Sequence, residues 1–178
     1  MITSTRRPIL AAALLPLAAW PSAFAQAQNK PNDAQIADIA YVADNIDIKA
    51  GQLALQKSQN PQVHAFAQDM VRDHTAVNDK ALTLLKKLNV KPQPSDTSKT
   101  LQQQADAEMK KLQGLDGAAF DREYAQHELA YHRQVNDAVR NQLIPSAQNP
   151  ELKQLLEQGL KIFEGHQQHA EQLVKQVG

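Results

Sequence analysis

Three histidines and one aspartate fall near the middle of four separate helical stretches: Asp47, His74, His132 and His166. Each lies on or beside the apolar stripe of its stretch. Imidazole and carboxylate groups bind borderline divalent ions, and helical bundles build such sites from side chains that face one another across the bundle axis. His74 interrupts an otherwise apolar seam in which Val63, Ala67, Met70, His74, Val77, Ala81, Leu84 and Leu88 follow one another four, three, four and three residues apart. His166 does the same between Phe163 and Ala170. His132 stands next to Tyr131 and one turn before Val135, and Asp47 next to Ile46 and one turn before Ala50. A buried imidazole without a partner costs a few kcal/mol, so each requires a hydrogen bond, a charge or a metal. Two readings follow: one divalent ion (iron, zinc, manganese or copper), or a metal-free His–Asp hydrogen-bond network in the core.

Other candidates are weaker. Glu128 and His132 share a helix face, as do His127 and Tyr131, and ordinary surface pairing at that spacing accounts for both. His64 lies in a first helical turn and reads as solvated, and His169 lies well round the helix from His166. Asp73 adjoins His74 but projects about 100° away from it, which disfavours a local pair. Neither Val71 nor Phe163, three residues before His74 and His166, is an acid, so the paired Glu-x-x-His helices of a di-iron oxidase are missing. No nucleophilic triad, phosphate loop or glycine-rich motif appears, and an enzyme is not the expectation.

The elements that must position these groups are helices throughout, for no stretch alternates with period two. Asn32 or Asp33 caps a first helix to about Gln59, with Ile36, Ile39, Ala43, Ile46, Ala50 and Leu53 inward. Asn60-Pro61 opens the second, with Asn as cap and Pro at the first helical position. Val90 to Thr97 reads as a linker, Ser98 to Leu112 as a shorter polar helix. Asp116 caps a helix from Gly117 to about Leu143, with Phe120, Tyr124, Tyr131, Val135 and Val139 inward, and Pro145 stops it. Asn149-Pro150 repeats the earlier opening, and Leu152, Leu156, Gly159, Phe163, His166, Ala170, Leu173 and Val177 form a second heptad seam. The connection from Val90 to Asp116 is longer than a bundle turn needs. Its short helix, roughly 22 Å long, could return the chain along the bundle. The expectation is an all-α, ferritin-like four-helix bundle with that long crossover between its second and third long helices. A simple up-down-up-down bundle is the second choice.

Composition sets the setting. Arg6 and Arg7, an apolar run from Ile9 to Trp20 and the small-x-small triplet Ala23-Phe24-Ala25 read as a signal peptide over residues 1–25. A short stretch, 26–32, then precedes a single domain over 33–178. The chain has no cysteine, so thiolate metal sites and disulfides are excluded. Lys plus Arg equal Asp plus Glu at 19 each, and loss of Arg6 and Arg7 with the leader leaves a slight acidic excess. That balance, with no basic block, argues against nucleic acid and against an anionic membrane surface. No later stretch is long and apolar enough to span a bilayer. The expectation is a periplasmic protein, with peripheral envelope association at most.

The run Asp47-Ile48-Lys49-Ala50-Gly51-Gln52-Leu53-Ala54, and Phe66 through Thr75 (FAQDMVRDHT) with Asn78, resemble the bacterial family called domain of unknown function 4142. So do Phe120-Asp121-Arg122-Glu123-Tyr124 leading to His132, and His166 in the last helix. The likeness covers about Asp33 to Val177. It implies a ferritin-like, exported protein, often labelled as of the outer membrane, without a settled activity. Asp47 stands where that family more usually has glutamate, which shortens the reach to a shared metal.

Overall fold

The computed structural model describes residues 30–178, all of whose regular structure is helical. The leader assigned to residues 1–25 and the start of 26–32 lie outside the described residues. Helix α1 spans Asp33–Lys57, α2 Pro61–Leu88, α3 Asp96–Gln113 and α4 Gly117–Ala138. A π-helical turn, Val139–Leu143, and a single α-turn, α5 (Ile144–Ser146), extend α4, and α6 spans Pro150–Val177.

Local chemistry sets the helix starts. Asn32 accepts from Gln35 N–H in a reciprocal capping box. Asn60 and Asn149 cap α2 and α6 in nearly the same conformation (ψ 122° and 124°), each followed by Pro. Asp116 occupies the N-cap place of α4 but makes no capping bond. Its carboxylate instead lies 3.0 Å from Lys57 Nζ, and Gly117 takes the left-handed first position (φ 53°). Pro145 does not stop the helix where expected. A Pro ring clashes with the carbonyl four residues back, and the wider π turn over 139–143 lets the chain run on to Ser146.

Contacts at the helix ends fix the course of the chain. Lys57, at the end of α1, donates to Gln113 O at the end of α3, 2.7 Å away. Gln93 N–H donates to Ala34 O beside the start of α1, at 3.0 Å. Asp33 accepts from Gln148 and Asn149 N–H at 2.8 and 2.9 Å, so α1 and α6 begin at the same end. The chain therefore goes out along α1, back along α2, out again through α3 packed on α1, back along α4 and out along α6. The connection after α2 is a crossover that carries the chain the length of the bundle, as its length suggests. At their crossing, α1 and α2 approach closely at Gly51, where a Cβ would meet Val71 Cγ2 at 3.0 Å and Ala67 O at 3.1 Å.

The core comes in two apolar clusters. One gathers Ile36, Ile39, Tyr131, Val139, Leu143 and Leu152 near the start of α1. The other gathers Ala54, Phe66, Met70, Phe120, Tyr124 and Leu173 toward its end. Between them lies a layer of buried polar side chains. Burial of these apolar side chains supplies the main driving force, at about 25 cal/mol per Å² of apolar area. The seam of α2 drifts: Leu85 is buried, whereas Ala81, Leu84 and Leu88 are only partly so. An untwisted helix slips about 20° per heptad against a strict seven-residue repeat.

Candidate metal centre

The polar layer is built by four helices. Asp44 and Asp47 come from adjacent turns of α1, His74 from α2, Glu128 and His132 from adjacent turns of α4, and His166 from α6. All six are buried. The structure brings His74, His132 and His166 together, with one ring nitrogen of each within 4.8 Å of the others. Ring centroids are 5.7 Å apart for His74–His132, 5.2 Å for His74–His166 and 5.6 Å for His132–His166. Asp47 forms an adjoining group with Glu128 and His132 at the same spacing. Its Oδ2 lies 3.5 Å from His74 Nε2, too far for a good hydrogen bond. Phe163 stacks on His74 at 4.6 Å and covers one face of the cluster.

Each imidazole is held by one nitrogen only. His74 Nδ1 lies 2.8 Å from Asp44 Oδ1, His132 Nδ1 2.9 Å from Glu128 O, and His166 Nε2 3.0 Å from Asp73 Oδ2. Those partners are acceptors, so the proton sits on the held nitrogen and the other nitrogen keeps its lone pair. Those other nitrogens are His74 Nε2, His132 Nε2 and His166 Nδ1, and all three are buried without a hydrogen-bond partner. Three inward lone pairs, each set by an acceptor behind the ring, are the arrangement that orients metal-binding histidines. The donor set fits a divalent ion: three neutral imidazoles with Asp47 beside them.

Electrostatics agree. Burial, then the neighbouring His74 and His166, pushes the His132 imidazolium well below its ordinary range. Burial likewise pushes His166 down to about 4, against the opposing pull of Asp73. Asp73 can serve as acceptor because Arg72 beside it, donating at 2.7 and 2.9 Å, holds its carboxyl below the usual range. Burial raises Asp47 and Glu128, and their mutual proximity raises Asp47 further. Among the described residues no Lys or Arg is buried to balance Asp44, Asp47 and Glu128. Neutral imidazoles and under-compensated carboxylates together favour a cation between them.

Several residues sit otherwise than the sequence suggests. Glu128 is no surface partner of His132: it is 0% exposed and lies in the layer itself. His127 is also buried, stacked on Tyr131 at 5.6 Å. His64 is half-buried, with Nε2 2.6 Å from Ser58 O. Asp73 does leave its neighbour His74 alone, but it reaches across to His166 on α6. Asp44 is the residue that sequence reasoning passed over. Its signal was available, since it precedes Asp47 by one turn and stands between the buried Ala43 and Ile46.

Comparison with curated proteins and with solved structures finds no match. The family model described as "Domain of unknown function (DUF4142)" matches residues 18–173. That span takes in all six residues of the polar layer and the helices that position them, save the last turn of α6, and the chain belongs to the DUF4142 family.

Proposed function

We propose that this protein is an exported helical bundle that binds one divalent metal ion at its centre, through His74, His132 and His166 with Asp47 as the carboxylate ligand. The observation that carries this reading is the trio of buried, unpartnered ring nitrogens. Iron, zinc, manganese and copper all accept such a donor set. Binding or buffering of metal in the cell envelope, under stress conditions among others, is the role these features support. The signal-peptide pattern over residues 1–25 is the support for export.

The test is elemental analysis of protein purified without a histidine tag, as isolated and after reconstitution with each ion. One ion per chain is expected, and loss of it in His74→Ala and His166→Ala. A second reading rests on the Asp44–His74 and Asp73–His166 hydrogen bonds, which could serve a metal-free interaction protein of the envelope. Under that reading no ion binds at any reconstitution, and His74→Leu destabilises the fold because it leaves Asp44 buried without its partner.

A further inference from the structure

The carboxylate side of the polar layer has a use of its own. Asp47, Glu128 and His132 offer ligand atoms within 4.8 Å of one another, and His132 is shared with the imidazole trio, so the two groups adjoin. Asp47 turns Oδ2 toward His74, while its Oδ1 is buried without a partner. Glu128 is fully enclosed, and neither of its oxygens has a hydrogen-bond partner. The buried Tyr124 hydroxyl stands beside Glu128 without a well-formed hydrogen bond to it. In the metal-free protein Asp47 and Glu128 thus stand close enough to share a proton. Leaving a buried carboxylate unsatisfied is among the costliest arrangements in a core.

We propose that Glu128, Asp47 and Tyr124 form a second cation position beside the imidazole trio, with Asp47 bridging the two through its two oxygens. The proposal rests on the reading that the histidines hold the first ion. The second position is oxygen-rich, and it therefore suits a harder divalent ion such as Mn²⁺ or Fe²⁺ than the imidazole position selects. Bridged pairs of this kind place their ions about 3.5–4 Å apart, a separation that one carboxylate can span.

Cobalt(II) reports on both positions, since it accepts nitrogen and oxygen donors and absorbs visibly when bound. Metal-free protein is titrated with Co²⁺ and the bound metal counted. A break at two equivalents is expected for the parent and at one for Glu128→Gln, which keeps volume but loses charge. Tyr124→Phe should weaken the second equivalent severalfold and leave the first unchanged. Should Glu128→Gln lose helicity, Glu128→Asp supplies the comparison, with the second equivalent weakened at least tenfold. A break at one equivalent in both parent and variant overturns the second position and leaves the first standing, the carboxylates then sharing a proton. No bound Co²⁺ at all in the parent overturns both.

Discussion

Asp44 shows how much of the proposed metal site lies behind its ligands. Its hydrogen bond to His74 fixes which nitrogen of that ring carries the proton. Replacing such an outer partner commonly costs 10–100-fold in metal affinity. Asp44→Asn is therefore expected to weaken binding by about that factor with helicity intact, as calorimetric titration would read. Protons act on the same layer. His166 is depressed to about 4 in the fold, from an ordinary value of 6.5 in the unfolded chain. Below 6.5 the unfolded chain takes up a proton that the fold refuses, so the metal-free protein should lose stability as pH falls from 6.5 toward 4. Above 6.5 this group contributes no slope. Thermal melts across that window check the sign, and bound metal, which needs the neutral ring, should steepen the loss. Histidines were the legible part of this layer, because His74 and His166 break an apolar seam and His132 adjoins one. The acids were less so: Glu128 at four residues from His132 reads like any solvated helix pair, and only the packing of α4 against α1 shows that it is enclosed.

At the level of the helices, starts were easier to read than ends. Asn60-Pro61 and Asn149-Pro150 combine a side-chain acceptor with a residue that needs no N–H partner, and both cap as expected. Asn60→Ala and Asn149→Ala should each cost about 1 kcal/mol in denaturant unfolding. The π turn escaped the sequence because Pro marks an obstacle without saying whether the chain stops or widens around it. Asp116 misled in a similar way: Asp is a good cap, but Lys57 on another helix competes for its carboxylate. The crossing of α1 and α2 has its own test. Gly51 faces the backbone oxygen of Ala67, which cannot rotate away. Gly51→Leu should therefore overpack the crossing and destabilise by roughly 1–3 kcal/mol, seen as a lower thermal midpoint.

For the whole molecule, the two apolar clusters on either side of the polar layer explain how it stays buried. They also mean that the layer is spanned by every long helix, so its occupancy feeds into global stability. At a free metal concentration about 100 times Kd, binding to the folded chain alone adds about 2.7 kcal/mol. Chelation should accordingly lower the midpoint of the parent and leave His74→Ala unmoved. Export has a separate check: N-terminal sequencing of protein from a periplasmic extract should begin at Gln26. A finding of intact Met1 in the mature protein would remove the envelope from the account.

The clasp between Asp33 and the Gln148–Asn149 backbone joins the opening turn of the domain to its final helix. That final helix also brings His166, so a chain still being synthesised or threaded through a membrane leaves its imidazoles apart. The cage can shut only once the last residues arrive. On the proposed reading, the ion it takes is chosen by the compartment where the chain is completed, more than by ranking of affinities.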